Sequence, residues 1–188
     1  MKLTLATTAV CFFALCHPAL GQETNKVQEP EFLGTFFSLD SNTGNLSPLE
    51  RQTAMHKILV KAMGFGGGVG YFELSGEKSP VRFKEGEKLE FVVLVSSQKS
   101  DPQGIIQLFS WESKKGKRQL TIDKAGSMGI GSKSLLQKSL IAFNASKHGT
   151  SSFKITPAEN LPPGEYTLSG PDNKDSFCFG IDKKVSPK

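Results

Sequence analysis

Short apolar blocks separated by Gly, Pro, Asn, Asp and Ser clusters set the rhythm of this chain. Its C-terminal third shows this most clearly. Leu161-Pro162-Pro163-Gly164 forces a turn, and Glu165-Tyr166-Thr167-Leu168 leaves it as an alternating strand. Gly170-Pro171-Asp172-Asn173 turns the chain back, and Asp175 to Asp182 closes the hairpin with Phe177, Cys178 and Phe179 in succession. Upstream, Glu31–Leu39 is aromatic and predicts a strand, and Asp40–Asn45 a loop. Tyr71–Leu74 and Val81–Phe83 predict further strands. Leu89–Val95 has the near-continuous apolarity of a buried strand. Ile105–Glu112 and Arg118–Ile122 flank Ser113–Lys117 as a second hairpin, and Leu135–Asn144 and Ser151–Thr156 predict two more strands joined through Ala145–Gly149.

One stretch is ambiguous. Ser47-Pro48-Leu49-Glu50 matches a capping box with Pro at the first helical position, and Leu49, Ala54, Met55, Ile58, Leu59 and Ala62 partly follow a helical stripe. A short helix over 48–62 therefore competes with a strand over Met55–Ala62. Eight to ten short strands, with no sustained strand–helix alternation, predict an all-β chain, an antiparallel β-sandwich.

The N-terminus is expected to be an address and not part of that domain. Met1-Lys2 is a positive start, Leu3 to Leu15 an apolar run, and Ala19-Leu20-Gly21 a small-residue cleavage site, so residues 1–21 read as a signal peptide cut before Gln22. The run is shorter than the roughly 20 apolar residues of a membrane-spanning helix, and Leu15 before Cys16 argues against a lipoprotein. Residues 22–30 read as a flexible leader, 31–183 as one domain, and 184–188 as a tail. The mature chain of about 167 residues is large enough for its own core. It is expected outside the cytoplasm, periplasmic or extracellular. Cleavage removes Cys11 and Cys16 and leaves Cys178 alone, so no intrachain disulfide can form; for an exported protein this leans toward a bacterial source. The net charge of +5 over the full sequence is only mildly basic, far from a nucleic-acid signature.

Leu161–Leu168 resembles the penultimate strand of immunoglobulin-like sandwiches, where a Leu, a turn glycine and a Tyr precede an alternating strand. That resemblance implies a structural role for Gly164 and Tyr166, whose hydroxyl would pin a corner by bonding to backbone near Ala158–Asn160. The paired cysteines and intervening Trp of antibody domains are missing. Gly164-Glu165-Tyr166 with Phe177–Asp182, and Gly76–Phe83, are also similar to segments of uncharacterised bacterial exported proteins, which imply no reaction.

Candidate chemistry is sparse. Gly64–Gly70 has neither the register of a dinucleotide loop nor the Lys-Ser/Thr of a phosphate loop. It reads as a loop, or as a bulge that lets backbones approach closely. Gly126–Ser134 misses the phosphate-loop spacing by one residue, Ser132. The two Ser-x-x-Lys matches, Ser75–Lys78 and Ser96–Lys99, fall in turns, and no Gly-x-Ser-x-Gly occurs. His56, His148 and Cys178 lack metal-ligand spacing. No metal, cofactor or catalytic residue is therefore expected, and a binding or accessory module is the leading expectation. Candidate contacts are the hairpin tip Lys114, Lys115, Lys117 and Arg118, suited to an anionic surface, and the aromatics Trp111 and Phe65, suited to a glycan. An envelope protein is the third candidate partner, and an enzyme of unrecognised type the least favoured alternative.

Overall fold

A computed structural model describes residues 27–184 apart from 62, 64, 65, 127–132 and 171–174. The expected signal peptide, residues 22–26 of the expected leader, Phe65 and the residues beyond Lys184 lie outside the described residues. No helix among those described is long and apolar enough to cross a membrane.

The described chain is all-β. In order it runs β1 (Phe36–Leu39), β2 (Leu46–Pro48), β3 (Glu50–Thr53), β4 (Met55–Val60), β5 (Gly68–Ser75), β6 (Arg82–Lys84), β7 (Phe91–Leu94), α1 (Pro102–Ile105), β8 (Gln107–Lys114), β9 (Lys117–Ala125), β10 (Lys133–Ser134), α2 (Leu136–Ser139), β11 (Phe143–His148), β12 (Ser152–Pro157), β13 (Gly164–Ser169) and β14 (Asp175–Asp182). Five strands form one sheet in the order β11-β12-β7-β1-β2. A second sheet runs β3-β14-β13-β8-β9-β5-β4, with β10 on β9 and β6 on β14. Pairing is antiparallel except between β6 and β14.

The second sheet curls back on itself. Its two end strands, β3 and β4, are consecutive in the chain and separated only by Ala54. One stretch of strand thus pairs β14 with its first half, Thr53 opposite Asp175, and β5 with its second half, Met55 opposite Glu73. Gln52 ties the seam from the side. Its Nε2 donates to Ser75 O at 3.1 Å, and its Oε1 accepts from Ser75 N at 2.9 Å.

Two apolar clusters follow from the alternation of side chains along these strands. The larger lies between the sheets, with Phe36, Phe91, Val93, Phe153 and Ile155 from the five-stranded sheet against Leu108, Tyr166, Leu168, Phe177, Phe179 and Ile181. Aromatic rings bridge it: Phe91 and Phe179 lie 4.7 Å apart centroid to centroid, and Tyr166 stacks on Phe179 at 5.5 Å. The smaller cluster, Leu74, Phe109, Trp111, Leu120 and Cys178, fills the inside of the curl. The central strands β8, β13 and β14 therefore bury both faces.

Several expectations are corrected here. Residues 48–62 contain no described helix, because β3 and β4 are held by partners on both sides of Ala54. The competing strand over Met55–Ala62 corresponds to β4. Leu135–Asn144 begins as α2 and becomes strand only at Phe143, so β11 covers the stretch read as a connection. Ile105 ends α1, which Asp101 caps by accepting from Gln103 N at 3.0 Å. The leader is pinned from Gln28 onward: Gln28 O meets His148 Nε2 at 3.0 Å, and Glu29 Oε1 accepts from Ser151 N at 3.0 Å.

The β8–β9 hairpin and the pinned corner are both present. Lys115 and Gly116, at φ 53° and 75°, make the two-residue turn whose left-handed geometry matches strand twist. Tyr166 donates its hydroxyl proton to Pro162 O at 2.6 Å, a partner two residues beyond the span expected. Tyr166→Phe is expected to cost about 0.5–1.5 kcal/mol, the hydrogen bond alone. Tyr166→Ala is expected to cost about 3–5 kcal/mol, since it also empties the ring's place against Phe179. Urea unfolding of the two variants measures both, and a Tyr166→Phe variant as stable as the wild type would show that the hydroxyl pins nothing.

Candidate functional site

The hairpin tip divides into two kinds of cation. Lys114 and Lys115 are exposed. Lys117 is turned back along the sheet, where its Nζ lies 2.7 Å from Glu73 Oε1, and Lys57 reaches the same oxygen at 2.8 Å. Arg118 faces inward, because β9 alternates sides and every second residue lines the curl. It is 1% exposed, so its place in a surface patch is corrected. Trp111 is corrected for the same reason. It is 7% exposed, and its indole N–H donates to Thr167 Oγ1 at 2.8 Å.

Arg118 is satisfied on every side that matters. Nη1 and Nη2 donate to Glu50 at 2.8 and 3.0 Å, Nη2 to Ser75 O at 2.8 Å, and Nε to Gly76 O at 3.2 Å. Burial raises the Glu50 carboxyl, but Arg118, Ser79 and Gln52 outweigh it and hold it below the usual range. A second polar cluster sits nearby. Glu165 accepts from Ser79 N at 2.8 Å and from Arg82, which also clasps Asp182 at 2.7 Å. Gly180 lies directly beneath, and a Cβ there would overlap the Arg82 guanidinium in its present position, so a larger residue would displace it.

Cys178 lies within the curl and is fully buried. Burial pushes its thiol up to about 12, against a smaller opposing pull from Arg118. That makes it a packed thiol and a poor nucleophile. The remaining buried carboxylates are also neutralised. Lys117 and then Lys57 hold Glu73 at about 2. Burial raises Glu90, but Lys88, Ser41 and Lys154 overcome this and hold it at about 2. Carboxylates held this low stay ionised at neutral pH and do not serve as general acids.

The glycine stretch entering β5 acts as the close-approach bulge that its composition permits. The register of β5 on β9 shifts between Gly70 and Tyr71, and Asp123 Oδ1 accepts from Gly70 N at 2.9 Å in space a Cβ would occupy. No group of three or more His, Cys, Asp or Glu is gathered to hold a metal among the described residues. His56 packs on Phe72, and His148 bonds to the leader. An apolar groove of about 560 Å³ opens at one end of the fold between Phe32, Leu33, Val95, Ile106 and Phe177, with the Arg51–Asp175 pair at its rim. Among the described residues its lining carries no nucleophile beside a base.

The feature that stands out is β4. It ends the nine-stranded sheet, and Met55, Ile58, Leu59 and Val60 are all exposed, Ile58 at 68% and Val60 at 57%. Sequence reasoning missed it because these residues were read for helix or strand, not for which side would be left without a neighbour. The signal was there: an apolar run without alternation marks a strand apolar on both faces.

The chain matches no family model, no curated protein and no solved structure.

Two predictions follow from the charges. Arg118→Ala leaves the Glu50 carboxylate without its partner and is expected to cost about 3–5 kcal/mol. Lys114→Ser, four residues earlier on the exposed tip, should change stability by less than about 0.5 kcal/mol. Equal melting of the two variants would place Arg118 at the surface. Glu73 and Glu90 are depressed in the folded state, so the stability they contribute is present above the ordinary carboxylate range and is lost as pH falls toward about 2. Urea midpoints are expected to decline between about pH 4.5 and 2, and Glu73→Gln should flatten that decline.

Proposed function

We propose that this chain is an exported accessory module of the cell envelope or extracellular space that acts by binding a protein partner and not by catalysis. In fold terms the reading is an immunoglobulin-like β-sandwich whose larger sheet has curled. The pinned Tyr166 corner and the aromatic core shared by two antiparallel sheets support it. Export rests on the pattern of Met1 to Gly21.

The observation that carries the binding reading is β4, an edge strand with four exposed apolar side chains. Such an edge is a template for another strand. The glycan reading loses Trp111 to the interior, and the anionic-surface reading keeps Lys114 and Lys115 but loses Arg118. The inertness of Cys178 and the ion pairs closing Glu50, Glu73, Glu90 and Glu165 support a role other than catalysis.

Position-specific photocrosslinking tests this. A benzophenone is attached to Leu59→Cys or to Lys115→Cys, and each protein is mixed with the envelope and medium fractions of its own organism or with anionic phospholipid vesicles. Cys178 is buried and stays unlabelled. Crosslinks from position 59 to a protein band, absent from position 115, are the expected result. Crosslinks only from 115 would move the contact to the hairpin tip, and none from either would remove the binding reading for both surfaces.

A further inference from the structure

The edge of β4 has a definite hydrogen-bonding phase. Lys61 N donates inward to Gly67 O at 2.9 Å. In an antiparallel ladder the phase alternates, so the backbone groups of Lys57 and Leu59 face β5 and those of His56, Ile58 and Val60 face outward. Among the described residues no strand pairs with that outward side. The edge also lacks the usual protections. β4 contains no proline, its register on β5 is unbroken, and its lysine, Lys57, is folded back onto Glu73.

We infer that the occupant of this edge is a second copy of the chain, with the two β4 strands pairing antiparallel about a two-fold axis at Ile58. This rests on the reading of β4 as the docking edge and names its partner. Outward-facing residues must meet outward-facing residues, so the axis falls on a residue and not between two. An axis at Lys57 sets that lysine against the partner's Lys57. An axis at Leu59 sets Lys57 against the partner's Lys61. The axis at Ile58 instead places Lys57 opposite the partner's Leu59 and Lys61 opposite the partner's Met55. It also sets Ile58 against the partner's Ile58 and His56 against the partner's Val60. Charge spacing thus selects one register.

Packing agrees with that choice. His56 lies opposite Phe72, Ile58 opposite Gly70 and Val60 opposite Gly68. Ile58 and Val60 therefore continue the face on which Phe72 and Leu74 contribute to the smaller core. Pairing carries this apolar face across the axis, and the contact is isologous. It supplies about six backbone hydrogen bonds over one short strand. An interface well under about 1,000 Å² holds weakly and reversibly. The lysines of the two strands remain diagonal neighbours, so added salt should strengthen the dimer.

Sedimentation of the mature chain from Gln22, over about 10 µM to 1 mM, tests this. A reversible monomer–dimer equilibrium tightened by salt is expected, and Ile58→Lys should weaken it at least about tenfold without lowering the melting temperature. For the register, Ile58→Cys, which keeps both lysines, should oxidise to a disulfide dimer far more than His56→Cys or Val60→Cys alone. A wild type that stays monomeric to 1 mM, a dimer indifferent to Ile58→Lys, or preferential self-crosslinking of Leu59→Cys would each overturn the proposal. A monomer that still photocrosslinks a different protein from position 59 overturns self-pairing and leaves the binding reading in place.

Discussion

Arg118 and Glu50 meet where the large sheet closes on itself, and the rest of the curl depends on that meeting. Arg118 stands on β9, yet its guanidinium reaches Glu50 on β3 and two carbonyls where β5 ends, Ser75 O and Gly76 O. Three strands are joined through one side chain. Burying a guanidinium is costly, and the bidentate carboxylate and the carbonyls offset the cost only in this geometry. The pair therefore acts as a registry device more than as a source of stability. A shift of β3 by one residue would carry Glu50 to the other face and leave Arg118 charged and unpartnered within the curl. Gln52, two residues on, repeats the constraint with neutral hydrogen bonds to both backbone groups of Ser75.

Once the curl is closed, the strands at its centre must be apolar or satisfied on both faces. On β13, Tyr166 and Leu168 turn to the larger core, while Thr167 meets Trp111 and Glu165 meets Arg82. On β14, Phe177, Phe179 and Ile181 face one way, and Cys178 and Gly180 the other. This explains how the described domain holds together around the single free cysteine Cys178 without a disulfide. Its aromatic rings fill the space between the sheets, and its buried charges, Arg118, Glu73, Glu90 and Glu165, are each paired.

Much of this was legible in the residues. The hairpins at 107–125 and 164–182 announced themselves through turn chemistry, and the corner at Tyr166 through Leu-Pro-Pro-Gly ahead of it. What was not legible depended on three dimensions. The capping pattern at Ser47–Glu50 is genuine helix chemistry, but Glu50 is drawn off by Arg118, 68 residues later. Lys114, Lys115, Lys117 and Arg118 look alike as a charge cluster. Only the phase of β9 separates an exposed lysine from a buried arginine, and no local pattern shows which partner waits inside. Trp111 failed for the same reason, since its polar indole edge finds Thr167 from a strand 56 residues away.

The curl also explains why β4 is left with a free edge. The strand from Glu50 to Val60 has two hydrogen-bonding sides. Before Ala54 one side is taken by β14, and after Ala54 the opposite side is taken by β5. Beyond Ala54 the described part of β14, which begins at Asp175 opposite Thr53, offers no further partner, so among the described residues that side is open for the length of β4. A sheet that closes completely has no edges. This one closes with an offset, and the offset is as long as β4. A soluble chain would ordinarily place charge or proline on such an overhang. Here it carries Ile58, Leu59 and Val60, residues that favour a strand and lose apolar contact with every side left open. The composition of the overhang is that of a paired strand, and the fold supplies only half of the pairing.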